Sequence, residues 1–120
     1  MFELSKIIGT GLKNDTNILA AFAAKIYPMY APDKTKGSFI TYKVQQLEEA
    51  SKDGLETFNI IVWNWAINYD TALQQAEIVN TAMLALNYEA RVYSFTEGLK
   101  DPGITEDYEI FVEQIYTIQI

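Results

Sequence analysis

The apolar positions of this chain fall into two periods, one helical and one of strands. Leu4, Ile7, Ile8, Gly11 and Leu12 follow the i, i+3, i+4, i+7, i+8 spacing of an amphipathic helix. Gly9 and Gly11 each cost such a helix about 1 kcal/mol against Ala, so they either serve close packing or fray its end. Lys13-Asn14-Asp15-Thr16 breaks the pattern. Asp15 or Thr16 is placed to cap a second short helix that sets Ile18, Leu19, Phe22 and Ile26 on one side. Pro28 and Pro32 then impose an extended path from Tyr27 onward.

After a polar loop at Asp33–Gly37, the β-branched and aromatic run from Ser38 to Val44 predicts a strand. Asp53-Gly54 is a hairpin signal, and Glu56–Trp65 is the return strand. Its middle, Ile60-Ile61-Val62-Trp63, is apolar on both faces, so one face meets helices and the other needs a second cover. Asn68, Asp70 and Thr71 are candidate caps for the clearest helix, with Thr71 and Gln74 in capping-box spacing. Leu73, Ala76, Val79, Met83 and Leu86 form its apolar stripe. Tyr88–Thr96 predicts a strand, and Glu97–Gly103 is rich in turn residues. The last strand alternates most cleanly. Tyr108, Ile110, Val112, Tyr116, Ile118 and Ile120 share one face; Glu109, Glu113, Thr117 and Gln119 share the other. The order α-α-β-β-α-β-β with short connections predicts an α+β fold. It is a mainly antiparallel sheet of about four strands with helices packed on one face, in one domain over residues 1–120.

Composition narrows the chemistry. The 120 residues contain no cysteine and no histidine. Disulfide and thiolate chemistry are excluded, as are every Ser-His and Cys-His pair and the commonest metal ligand. Net charge is −7, from 16 acids and 9 bases, which opposes sequence-independent adhesion to DNA and favours solubility. The longest apolar stretches fall short of the roughly 20 residues of a membrane helix, and the first residues lack the order of a signal peptide.

Carboxylates are the remaining acid–base groups. Glu48 and Glu49 are adjacent, so on a strand they point to opposite faces. Glu109 and Glu113 share a face but stand ~13 Å apart, too far for a paired acid and base. Gly9-Thr10-Gly11 lies within a helical pattern and not after a strand, so it is no phosphate loop. No catalytic residue, cofactor or metal site is expected. The aromatics carry more. Trp63 and Trp65, two apart on one strand, share a face, while Phe39 and Tyr42 lie on opposite faces of the neighbouring strand. Each is either core or an anchor in an oligomer interface, where large aromatics dominate the energetics.

A further pattern runs from Leu19 to Tyr42: Lys25-Ile26-Tyr27-Pro28, then Ala31-Pro32, then Ser38-Phe39-Ile40-Thr41-Tyr42. With the helix near Tyr69-Asp70 and the two closing strands, it resembles the tail-terminator (tail-completion) proteins of siphophages and related prophages. The chain differs at Ser38, where the family often has proline, and at Lys25, where it often has arginine. The resemblance implies a structural virion protein of the tail or neck, assembled in the host bacterial cytoplasm. It also implies a homohexameric ring that caps the tail tube and meets a head-connector (stopper) protein. DNA would pass through without specific binding, and no membrane is involved. In such a ring Phe39, Tyr42, Trp63 and Trp65 are the interface candidates. Glu48 and Glu49, beside the hairpin turn, are candidates to line the bore; the plainer reading is that they solvate the turn. The polar segments Asp33–Gly37 and Glu97–Asp107 are expected to be mobile until partners order them. Another tail or tube subunit, a small dimeric α+β ligand-binding domain, and an enzyme using carboxylates alone are the other readings.

Overall fold

The computed structural model describes residues 2–32, 37–48, 57–86, 94–105 and 109–119. Eight elements follow one another: α1 (Phe2–Asn14), α2 (Thr16–Phe22), β1 (Ile26–Pro28), β2 (Phe39–Glu48), β3 (Thr57–Ala66), α3 (Tyr69–Ala85), β4 (Ser94–Ile104) and β5 (Ile110–Gln119). The strands form one sheet in the order β1-β2-β3-β5-β4. The β2–β3, β3–β5 and β5–β4 pairs are antiparallel, and β1 joins β2 in parallel. The α+β class and the single helical layer agree with the sequence pattern. The fifth strand is the addition: the extended path expected from Tyr27 begins one residue earlier, and Ile26-Tyr27-Pro28 pairs with Ile40-Thr41-Tyr42.

The helices form where their caps and stripes direct them. Asp15 Oδ1 accepts the Asn17 and Ile18 backbone N–H groups at 2.9 and 3.0 Å and so starts α2. Of the three candidate caps for α3, Asn68 is used: its Oδ1 accepts Thr71 N–H at 2.8 Å. The buried stripe of α3 is Ala72, Ala76, Val79, Ala82 and Met83. It runs one residue away from the expected start, which leaves Leu73 36% exposed. The start of α3 meets the sheet through Ala72 and Ala76, which pack with Ala66 and Val112. Ile26 leaves the helical face expected for it, because Ala23 and Ala24 turn left-handed (φ 51° and 61°) and end α2.

The core lies between this helical layer and one face of the sheet. Ile40, Tyr42, Phe58, Ile60, Val62, Tyr116 and Ile118 meet Leu4, Ile8 and Leu12 of α1, Ile18 and Phe22 of α2, and Val79, Ala82 and Met83 of α3. A smaller cluster of Ala66, Ala72, Ala76 and Val112 continues it toward the start of α3. The expected loop at Glu97–Gly103 is instead part of β4, which runs along β5 with a register shift between Glu97 and Lys100. Turn-forming residues are tolerated there because β4 is an edge strand, where proline and a bulge interrupt no second ladder. The expectation that Glu97–Asp107 is one mobile loop is corrected accordingly up to Ile104. The hairpin turn at Ser51–Gly54, the start of the expected Tyr88 strand, and Asp33 to Lys36 lie outside the described residues.

Candidate functional site

Among the described residues the second face of the sheet carries no helix, and its side chains are set by strand parity. The even residues of β3 face the core, so Asn59, Ile61, Trp63 and Trp65 face outward. Register then places Phe39, Trp65, Phe111 and Gly103 side by side on β2, β3, β5 and β4. Phe39 stacks on Trp65 with ring centroids 5.6 Å apart, and Trp65 meets Phe111 at 5.1 Å. The Phe111 ring covers Gly103, where an added Cβ would stand 2.5 Å from it. Glycine on the edge strand thus lets the aromatic row extend over a fourth strand.

One register step along, Thr41, Trp63 and Glu113 form a polar counterpart. Trp63 Nε1–H donates to Glu113 Oε2 at 2.8 Å, and Trp65 Nε1–H donates to Thr41 Oγ1 at 3.0 Å. Lys43 Nζ lies 5.9 Å above the Trp63 ring, a cation–π contact. Both indole N–H groups are therefore satisfied within the sheet. The ring faces of this surface bring no unmet donor to a partner, which lowers the cost of covering them. Trp63 and Trp65 are half-buried on this open face, so neither is a core residue.

Phe39 joins them, and Tyr42 does not. Tyr42 is on the helical side, 6% exposed, in the core beneath α1. Its candidacy as an interface anchor is corrected: an odd step in register separates it from Phe39, and α1 covers its side. Burial raises the Tyr42 hydroxyl above its ordinary value near 10.0, with a hydrogen bond to Ser5 acting in the opposite direction. Phe111 and Ile115 are the residues that sequence reasoning passed over. Their strand face carries Glu113 and Thr117 and reads as polar, yet parity places Phe111 opposite Trp65 and Ile115 opposite Ile61 on the same face. Glu48 ends β2 opposite Thr57. Glu49 lies outside the described residues. Glu113 is occupied by the Trp63 indole, and Glu109 is exposed at the start of β5.

One concavity lies at this surface and another toward the helical side. A cavity of about 370 Å³ opens at the end of the aromatic row, lined by Phe39, Trp65, Ala66, Ile67, Glu109 and Ile110. A groove of about 270 Å³ lies on the β1 edge between Phe2, Pro28, Met29, Tyr42 and Val44. No helix among the described residues is long and apolar enough to cross a membrane.

No family model matches the sequence, and no curated protein matches it. A solved chain does match in structure. It belongs to the "Virion of native gene transfer agent (GTA) particle", with a TM-score of 0.81 at 13% identity, covering 97% of this chain and 92% of that one. At that identity the likeness establishes a shared fold.

Proposed function

We propose that this chain is a structural assembly protein of a long-tailed bacteriophage or prophage. Copies of it form a homohexameric ring that terminates the tail tube and joins it to the head-connector protein. It works in the virion, at the tail or neck, through contacts and without covalent chemistry. DNA passes through the ring without specific binding, in keeping with a net charge of −7. The observation that carries this reading is the full-length likeness to a virion chain, 97% of this chain and 92% of that one. The sequence resemblance to tail terminators supports the finer assignment. The helix-free sheet face supports an assembly role, because a row of aromatics on one side of a thin molecule is a surface that a neighbour covers. Glu48, at the end of β2, remains a candidate for the wall of the bore.

The test is the state of the purified protein. Size-exclusion chromatography with light scattering should give a hexamer, and negative-stain electron microscopy should show rings with an open centre. Added tail-tube protein should stop growing at a capped end. A stable monomer, or a length of tube unaffected by the protein, overturns the proposal. The cavity beside Trp65 favours a second reading, a dimeric ligand-binding domain, and a stable dimer would select it. An open-ended helical filament would select another tail or tube subunit.

A further inference from the structure

We infer that copies of this chain join head to tail, the exposed Phe2, Met29 and Tyr30 of one entering the cavity beside Trp65 of the next. This rests on the reading of the protein as a self-assembling ring and names the surfaces that would build it. The entering feature is the exposed Met29-Tyr30 turn, with Phe2 beside it at the rim of the β1-edge groove. Phe2, Met29 and Tyr30 are 74%, 64% and 79% exposed, an unusual concentration of large apolar side chains at one edge of the sheet. The backbone at Met29 is strained. Met29 has φ 69°, and Tyr30 N–H donates to Pro28 C=O at 2.8 Å, closing a three-residue turn of the rare positive-φ kind. Met29 N–H in turn donates to Tyr42 C=O at 2.8 Å, which ties the turn to β2. The fold therefore maintains a strained turn whose side chains are apolar and exposed, and such strain points to use.

The receiving feature is the cavity of about 370 Å³ between Phe39, Trp65, Ile67 and Ile110. A cavity of roughly 150 Å³ accepts a benzene ring, so this one has room for a tyrosine ring with a methionine beside it. Ile67 at its edge is 78% exposed. The two features stand apart on the molecule. One is on the β1 edge, against the middle of β2. The other is at the end of the sheet, where β2 begins and β3 finishes. A contact between different patches on two copies is heterologous, and repetition of it closes a ring or extends a filament.

Charge distinguishes this pairing from others. Residues 1–43 hold six lysines and three acids, a net +3; residues 44–120 hold three bases and thirteen acids, a net −10. The entering feature lies in the basic segment, with Lys6 Nζ 5.7 Å over the Phe2 ring. Among the described residues Glu109 is the charged residue of the cavity wall; Gly37 and Phe39, on its other side, belong to the basic segment, with Lys25 near Gly37. Two copies with a net −7 each repel unless unlike charges meet, and head-to-tail contact brings Lys6 of one toward Glu109 of the next.

Two surface variants test this. Tyr30→Asp removes the entering side chain, and Ile67→Asp with Glu109→Lys alters the cavity edge. All three positions are exposed, so circular dichroism and melting should match the parent. Each variant alone should be monomeric, its dissociation constant raised at least ~30-fold by loss of a hot spot. An equimolar mixture of the two should recover a one-to-one dimer, because one intact turn and one intact cavity remain. Persistence of the parent oligomer in either variant, or a mixture that stays monomeric, overturns the inference while leaving the parent ring in place. A parent protein that is itself monomeric removes the ring reading and this contact together.

Discussion

Asn64 shows how a single polar side chain can sit in an apolar seat without strengthening it. It is fully buried on the core side of β3, beneath the start of α3. Its Nδ2 donates to Ala72 C=O at 2.9 Å, while its Oδ1 has no partner among the described residues. The Ala72 carbonyl, inside a helix, already accepts a backbone N–H four residues on. The amide therefore adds a second bond to a satisfied acceptor and leaves an acceptor of its own unmet. Replacing both sides of such an arrangement with apolar shape is close to neutral, whereas truncation leaves a hole. Asn64→Leu should change unfolding free energy by less than ~1 kcal/mol in either direction. Asn64→Ala should lose about 2 kcal/mol. Urea titrations of both variants check this; a loss of several kcal/mol on Asn64→Leu would show that the amide fixes α3 in place. Gln114 is the contrasting case. Its Nε2 donates to Ala76 C=O at 3.0 Å and its Oε1 stands 3.0 Å from Tyr116 OH, so both ends are engaged.

At the scale of elements, α2 ends against its own residues. Ala23, the C-cap, is left-handed at φ 51°, and Ala24 follows at φ 61°. Glycine is the residue that adopts this conformation without a clash of Cβ. Ala23 is exposed, so a change there alters backbone preference and little packing. Ala23→Gly should raise the melting midpoint, by the equivalent of about 0.5–1 kcal/mol; a lower midpoint would mean that the Ala methyl packs to advantage. The absence of a glycine signal is also why the sequence misled at this point. Two alanines continue a helical pattern, so Ile26 was assigned to the face of α2 and β1 went unseen. Of β4 only the first residues, Ser94–Thr96, were readable, for the opposite reason, since Gly98, Pro102 and Gly103 are turn residues that an edge strand accommodates. The core face of β5 was readable from Ile110 to Ile118 because one face is buried and the other open, which stamps a period of two on the sequence. The same alternation gave the pairing of Trp63 with Trp65. Which of the two sheet faces the helices cover was not readable from any one strand. That left Tyr42 and Phe39 as equal candidates until register and α1 separated them.

For the whole molecule, salt sets two electrostatic effects against each other, and their ranges decide which dominates. The subunit measures 45 × 30 × 24 Å and carries −7, so net repulsion acts between charges spread over tens of ångströms. In the head-to-tail contact proposed above, Lys6 and Glu109 attract at contact range. The Debye length is ~30 Å at 0.01 M salt, ~8 Å at 0.15 M and ~3 Å at 1 M. At the lowest salt the full net charge is felt, and assembly is opposed. Near 0.15 M the distant charges are screened while contacting ones are not, and assembly is favoured. At 1 M the contact attraction fades as well, leaving the apolar burial around Tyr30 and Trp65, which salt does not weaken. Association measured by light scattering should therefore rise from ~0.01 to ~0.15 M salt and then level or fall modestly toward ~1 M. The Glu109→Lys change should flatten the high-salt limb, because it removes the attraction that salt would otherwise screen. A steady, steep rise through ~1 M would mean that repulsion acts even at contact, and that like segments, not unlike ones, face each other in the assembly.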